Sequence, residues 1–145
     1  MTTIKLINAK ATYPVRHSVL RKGKPIETCF FKGDMLPTTL HIGLFFNNKL
    51  SGVATLLTSQ NALYTNKNQY QLRGMAILDK HQGKGFGNLI IDFTIALLKD
   101  KNCDILWCNA REVAKAFYIK NGFSTTGKPF NIEGIGKHYI MQRSL

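Results

Sequence analysis

The segment DKHQGKGFGN, residues 79–88, contains the residues best suited to binding an anion. Three of its glycines alternate with Lys84 and Phe86, between an apolar run typical of a strand and a segment with helical periodicity. At the start of a helix the first backbone N–H groups lack intrahelical acceptors and lie at the positive end of the helix dipole. Glycine lets an anion approach such groups closely, and Lys84 adds a positive charge. From the residues alone, a plain strand-to-helix turn remains an equal alternative.

The glycine spacing excludes two familiar phosphate loops. The GxxxxGK[ST] pattern is absent, because GKGFGN has a different spacing and no following serine or threonine. The GxGxxG pattern is absent because the glycines alternate as G-x-G-x-G, and Asp104 precedes the next strand instead of ending it. An anion site in this loop would therefore belong to neither a nucleoside triphosphate nor a dinucleotide.

The remaining pattern predicts an α/β (α+β) domain with a mixed sheet. The hairpin signal NNK separates two apolar runs, and Gly74 inside a later run indicates a bulge or the close approach of another group. Strand, helix and strand follow one another between residues 70 and 108, which predicts a right-handed crossover with parallel strands. Strands are predicted over residues 3–6, 38–46, 50–58, 69–78, 104–109, 123–130 and 137–143. Helices are predicted over residues 11–23, with Thr12 as the cap, 84–99 and 111–122.

Two motifs in this frame resemble the GNAT superfamily of acetyl-CoA-dependent N-acetyltransferases. Q-x-x-G-x-G, from Gln82 to Gly87, is similar to the family's pyrophosphate signature. Further on, AREVAKAFYIKNGF is similar to its second conserved helix, with Tyr118 four residues before Gly122-Phe123. The resemblance is specific over residues 70–123 and extends more weakly over the rest, towards the small ElaA-like branch. It implies one domain over residues 1–145, with a mostly antiparallel sheet around the parallel crossover.

The resemblance also implies roles for particular residues. Backbone N–H groups from Gly83 to Asn88 would hold the pyrophosphate, and the edge from Met75 to Leu78 would pair with the pantetheine amides. The acetyl carbonyl would face an N–H near Met75 or Ala76, and Tyr118 would be the general acid, although a core aromatic is its alternative. Residues expected to contact acetyl-CoA are Met75, Ala76, Ile77, Leu78, Gln82, Gly83, Lys84, Gly85, Phe86, Gly87, Asn88 and Arg111.

Two positions depart from the commoner family pattern, and the base stays open. Gln82 replaces a more frequent arginine, which Lys84 would offset, and Arg111 replaces a frequent asparagine and would contact either cosubstrate or acceptor. Candidates for the general base are Glu27, Asp34, His41, Glu133, His138 and a water chain.

The composition of the chain indicates which classes of partner to expect. A net charge of +12 favours anionic partners, but the basic residues are spread along the chain and no nucleic-acid reader motif is present. The three cysteines form no CxxC pair, so we expect reduced thiols, no metal site and a cytoplasmic protein. The apolar runs are too short for a membrane span, so none is expected. The leading prediction is acetyl transfer to an unidentified amine. A basic nucleic-acid-binding module and a non-catalytic acyl-CoA-binding protein remain alternatives, and a homodimer is left open.

Overall fold

The computed structural model describes every residue from Met1 to Leu145. A seven-stranded, mostly antiparallel sheet has the order β1-β2-β3-β4-β5-β7-β6, with helices flanking it, which confirms the predicted fold class. The strands are β1 (Thr2–Ile7), β2 (Leu40–Phe46), β3 (Lys49–Thr58), β4 (Gln69–Ile77), β5 (Ile105–Arg111), β6 (Ser124–Ile132) and β7 (Gly136–Ser144). The α-helices are α1 (Ala9–Leu20), α2 (Phe86–Asp100) and α3 (Lys115–Lys120). None of the helices has both the length and the apolar character that crossing a bilayer requires.

The chain divides into two compact units. The first comprises Met1–Leu57 and Leu72–Leu97, and the second comprises Thr58–Gln71 and Leu98–Leu145. Gln69–Gln71 of β4 belong to the second unit, and the remaining residues of β4 belong to the first. The single domain over residues 1–145 stays a prediction.

The first unit contains an antiparallel hairpin of β2 and β3. Asn47 and Asn48 at its turn have φ values of 50° and 66°, as a two-residue type I′ turn requires, and this confirms the hairpin predicted from NNK. β1 pairs antiparallel with β2. The side chains of Val15 from α1, Val53 from β3 and Ala76 from β4 pack together and form a core cluster of this unit.

The first helix begins earlier than the sequence predicts. Asn8, not Thr12, is its N-cap, because the Asn8 side chain accepts a hydrogen bond of 2.9 Å from the N–H of Ala11. The Thr12 hydroxyl instead donates to the carbonyl of Ala9 at 2.6 Å. Pro14 therefore lies inside the helix, which ends at Leu20 before the predicted stop at residue 23.

In the second unit, β4 and β5 form the predicted parallel pair. Their register places Gln69 opposite Ile105 and Gln71 opposite Trp107, and β7 lies antiparallel between β5 and β6. The predicted helix over residues 111–122 is shorter in the structure. A 3₁₀ turn over Glu112–Ala114 with i→i+3 bonding precedes α3, so the α-helical pattern starts only at Lys115.

Candidate functional site

In the first unit, the loop between β4 and α2 presents an open stretch of backbone. Gly83 and Gly85 have φ values of +79° and +82°, a conformation that favours glycine. A Cβ atom at either position would meet no heavy atom within 4 Å, so the space beside the backbone is empty of protein. The N–H of Leu89 bonds the Gly85 carbonyl at 3.2 Å, which makes Gly85 the residue from which α2 starts. The positive end of the α2 dipole therefore lies at this open loop.

The side chains of Gln82 and Lys84 have different surroundings in this loop. The Gln82 amide donates to the carbonyl of Ile77 at 2.9 Å and to Asp79 Oδ1 at 3.2 Å, so it braces the turn that follows β4. Lys84 Nζ lies 5.7 Å from the centroid of the Phe46 ring. Lys84 thus places a positive charge between the two left-handed glycines, and direct support of a phosphate by Gln82 stays a prediction.

An aromatic cluster under the loop was not found by sequence reasoning. The His81 ring lies 5.1 Å from the Phe46 ring and 6.0 Å from the Phe86 ring, centroid to centroid. Desolvation, followed by the charges of Lys80 and Lys84, lowers the pKa of His81 below its ordinary value. The His81 ring in this aromatic cluster is therefore uncharged at neutral pH.

The end of β4 divides its backbone groups between its two sides. The N–H of Leu78 donates to the Ser51 carbonyl at 2.9 Å, and the Leu78 carbonyl accepts from the N–H of His81 at 2.8 Å, so both backbone groups of Leu78 have partners. Successive residues of a strand direct these groups to opposite sides. By this alternation the backbone groups of Met75 and Ile77 would lie on the side opposite to β3, where the Ile77 carbonyl accepts from the Gln82 amide.

Gly74 lies in the middle of β4 at the point where other residues approach it closely. Its φ of +58° is in the left-handed region, as in a strand with a glycine bulge. A Cβ atom there would lie 2.9 Å from Phe31 Cε2 and 3.1 Å from Arg16 Nε. The close approach predicted from an interior glycine is confirmed, and any side chain at this position would displace one of the two neighbours.

Arg16 and Asp34 form a buried ion pair near this strand. Arg16 Nη1 and Nη2 donate to the two carboxylate oxygens at 2.6 Å and 3.0 Å, and the Phe31 N–H donates to the same carboxylate at 2.9 Å. Arg16 Nη1 also donates to the Cys29 carbonyl, and Nη2 to Thr55 Oγ1, both at 2.8 Å. Asp34 is therefore held as the partner of a guanidinium, which removes it from the candidate bases.

His41 continues the same buried network. Nε2 lies 2.9 Å from the Asp34 carbonyl, and Nδ1 lies 2.8 Å from Thr55 Oγ1. A carbonyl can only accept, so we assign the ring proton to Nε2 and an accepting role to Nδ1. The Thr55 hydroxyl then donates to His41 while it accepts from Arg16. With both nitrogens engaged in structural bonds, His41 is also removed from the candidate bases.

The other candidate bases differ in exposure. Glu27 and Glu133 are exposed, whereas His138 is buried at the start of β7 and stacks beside the Phe130 ring. His138 Nδ1 lies 2.8 Å from the Gly136 carbonyl and must donate to it, which leaves Nε2 as the basic nitrogen of the neutral ring. These three residues and water remain as candidates.

In the second unit, the turn after α3 positions Tyr118. The N–H of Phe123 donates to the Tyr118 carbonyl at 3.0 Å, the N–H of Gly122 donates to the Ile119 carbonyl at 3.1 Å, and Gly122 has a φ of +88°. This is a Schellman motif, and the rings of Phe123 and Tyr118 make its usual apolar contact at 5.2 Å. The spacing from tyrosine to Gly-Phe in the sequence is therefore the spacing of one helix-ending turn.

Burial sets the proton affinity of Tyr118. Its pKa is raised far above the ordinary value by desolvation and, to a lesser extent, by Cys108. Burial also raises the pKa of Cys108 to about 12, so this thiol stays neutral and unsuited to nucleophilic attack. Tyr118 therefore keeps its proton and can act as a donor.

Arg111 is the last residue of β5, and its backbone lies opposite His138 of β7.

Comparisons with known proteins place the chain in a family. A family model of the acetyltransferase (GNAT) domain matches residues 26–145. The uncharacterized N-acetyltransferase YitI of Bacillus subtilis (strain 168) is 34% identical over 145 residues, which cover 100% of this chain and 97% of YitI. The chain belongs to the GNAT acetyltransferase family. This GNAT protein is accordingly an acyl-CoA N-acyltransferase by class.

Solved structures share the fold of this GNAT protein. Escherichia coli ElaA superposes with a TM-score of 0.78 at 17% identity, covering 99% of this chain and 100% of ElaA. A GNAT family acetyltransferase from Elizabethkingia anophelis, solved with acetyl-CoA bound, superposes with a TM-score of 0.71 at 17% identity, covering 99% and 98%. At these identities the likeness concerns the fold alone.

Proposed function

We propose that this GNAT protein moves the acetyl group of acetyl-CoA to a primary amine by direct attack of the amine on the thioester. The open glycine loop at the start of α2 carries this proposal. Its left-handed glycines leave unobstructed backbone where an anion such as the CoA pyrophosphate would bind, and Lys84 adds a positive charge. The Elizabethkingia anophelis relative, which contains acetyl-CoA, supports the choice of cosubstrate.

In this proposal β4 positions the donor. Backbone groups between Met75 and Ile77 would bond the pantetheine amides, because both backbone groups of Leu78 have partners within the protein. The backbone N–H of Met75 or Ala76 would stabilise the carbonyl oxygen as the amine nitrogen attacks. The side chain of Arg111 contacts either the cosubstrate or the acceptor.

Tyr118 then assists the departure of the thiolate. The C–N bond forms, the C–S bond breaks, and the sulfur takes the phenol proton or a hydrogen bond from it. A thiol has a pKa of roughly 8.5, and the pKa of Tyr118 is raised, so hydrogen bonding exceeds full transfer until solvent supplies a proton. The amine proton leaves to Glu27, Glu133, His138 or water, since Asp34 and His41 are engaged elsewhere.

Calorimetry with acetyl-CoA and thiol release with a panel of amines test the proposal. Tyr118→Phe should lower kcat by roughly 10²- to 10⁴-fold, the usual contribution of a general acid, with a smaller change in acetyl-CoA affinity. Tyr70→Phe, at the start of β4, is the matched control and should keep wild-type turnover. Absence of acetyl-CoA and CoA binding at millimolar concentration would refute the function. Binding without transfer to any amine would favour a non-catalytic acyl-CoA-binding protein.

A further inference from the structure

Three arginines converge on the Phe31 ring in the first unit. The guanidinium carbons of Arg16, Arg73 and Arg21 lie 4.0, 5.1 and 5.4 Å from its centroid. They come from two elements, because Arg16 lies within α1, Arg21 is the C-cap of α1 and Arg73 lies in β4. We call Arg21, Phe31 and Arg73 the arginine–phenylalanine site, with Arg16 beneath it.

The charges around this ring do not balance. Asp34 is the carboxylate of the group, and both of its oxygens are taken by Arg16. Arg21 donates to its neighbour's carbonyl, that of Leu20, at 3.1 Å. Neither Arg21 nor Arg73 has a carboxylate partner in the structure. Two positive charges are thus left over at a half-buried aromatic face, where attraction for an anion is stronger than in open water.

The environment of Arg73 reports the same imbalance. Desolvation lowers the pKa of Arg73, Asp34 raises it, and the charges of Arg16 and Arg21 lower it further. Arg16 is fully buried, and its Nε has no hydrogen-bond partner. An anion beside Arg73 would relieve the repulsion among three cations that already lie close together.

The location of the site connects it with acetyl transfer. Arg73 immediately precedes Gly74, whose lack of a side chain lets Arg16 and Phe31 pack against β4. Met75 to Ile77, the residues proposed to hold the donor, follow at once along the same strand. Two to three residues of strand span roughly 7–10 Å, which is the length of a short aliphatic chain.

We propose that the acceptor is a small amine that carries a carboxylate or phosphonate group, and that Arg21 and Arg73 bind this anionic group against Phe31. The proposal rests on the acetyl transfer proposed above and adds the substrate class to it. Arginine suits the task because its planar fork bonds two oxygens of a carboxylate or phosphonate at once. The amine is then directed along β4 towards the donor.

Matched acceptor pairs test this site. Propylamine, 3-aminopropanoate and 2-aminoethylphosphonate have similar lengths but differ in charge, and kcat/KM for each follows from thiol release. Wild-type protein should prefer at least one acid over propylamine by about tenfold or more, as a charge-assisted contact would give. The two acids separate a carboxylate preference from a phosphonate preference.

Variants identify the residues responsible. Arg73→Gln and Arg21→Gln should each raise KM for the preferred acid by about 10- to 100-fold, and should change KM for propylamine and acetyl-CoA affinity by a much smaller factor. Lys22→Gln removes one exposed charge beside Arg21 and should change each constant less than about twofold. Equal use of neutral and acidic amines, or equal losses on both in Arg73→Gln, would overturn the site and leave acetyl transfer standing.

A measurement without turnover separates the two proposals. Titration of 3-aminopropanoate and 2-aminoethylphosphonate should shift the guanidinium Nε–H NMR signals of Arg21 and Arg73, and the same shifts should appear in Lys22→Gln. Absence of a shift with both acids up to about 10 mM, an affinity near 3 kcal/mol, overturns the site even in an active enzyme. Loss of acetyl-CoA binding would instead remove the proposed function and this inference together.

Discussion

Replacing Asp34 by Asn tests the buried network on which the β4 region depends. The carboxylate accepts three hydrogen bonds, two from Arg16 and one from the Phe31 N–H. An amide keeps one oxygen acceptor, turns its NH₂ towards a cation, and leaves the Arg16 charge buried without a counterion. Breaking one partner out of a buried pair costs about 3–5 kcal/mol, so we expect a loss of that size in the free energy of unfolding. Near 150 residues, this corresponds to a Tm lower by about 6–20 °C.

Urea unfolding followed by two probes measures the effect. Far-UV circular dichroism reports the whole chain, whereas the fluorescence of Trp107, the protein's one tryptophan, reports the second unit. Because Asp34 lies in the first unit, coincident shifts of both transitions are expected if residues 1–145 form one cooperative domain. A shift confined to circular dichroism would show that the two units unfold separately.

A matched control and a mutant cycle separate pairing from general damage. Asp92→Asn changes an exposed carboxylate on α2 and should stay within about 0.5 kcal/mol of wild type. The cycle of Arg16→Met, Asp34→Asn and the double variant should give a coupling on the order of 2–3 kcal/mol. The reasoning is refuted if Asp34→Asn costs no more than Asp92→Asn, or if the two single changes are additive.

Three further predictions concern the loop and the turn that ends α3. Gly85→Ala forces an alanine to a φ of +82° in open space, so a stability loss of roughly 1–2 kcal/mol with weaker acetyl-CoA binding is expected by calorimetry; wild-type affinity would contradict it. Gly122→Ala adds a Cβ 3.3 Å from Arg143 Nε at a φ of +88°, and urea unfolding should show a loss of at least about 1 kcal/mol. Desolvation, followed by the charges of Lys80 and Lys84, lowers the pKa of His81 in the folded protein. Any stability linked to His81 is therefore fully present above the ordinary pKa of roughly 6.5, and it is lost as the pH falls through the lower pKa of the folded state. In an NMR titration Lys84→Gln should raise that pKa; an unchanged value would exclude the Lys84 charge as a cause.

Local signals carried most of the fold. The strands, the NNK hairpin and the parallel crossover follow from apolar periodicity and turn residues that are neighbours in sequence. The predicted start of α1 at Thr12 is wrong, because Asn8, a residue type that caps helices better than threonine, accepts the bond from the Ala11 N–H. The predicted last helix, residues 111–122, is too long, because a 3₁₀ turn with side chains repeating at i and i+3 cannot be told from the start of an α-helix by spacing.

The site was predictable only in part. The glycine loop could be predicted because glycine is the residue type that favours left-handed backbone conformations. The turn after Tyr118 could be predicted because its residues are neighbours in sequence. The network of Arg16, Asp34, Thr55 and His41 joins residues that are 7 to 39 positions apart, and no local pattern connects them. The gathering of arginines around Phe31 has the same origin, since Arg73 of β4 is more than 50 positions away from the two arginines of α1 and its C-cap.

The turn after α3 also governs how the protein ages chemically. Asparagine followed by glycine loses ammonia readily, because the glycine nitrogen attacks the side-chain amide carbon and forms a cyclic imide. Here the Gly122 nitrogen donates to the Ile119 carbonyl at 3.1 Å, and the Asn121 amide donates to the Phe117 carbonyl at 2.9 Å. Both reacting groups are held in place while the turn is closed, so the reaction must wait for local opening. The rate at which isoaspartate accumulates at Asn121 is therefore a clock for openings of the segment that carries Tyr118.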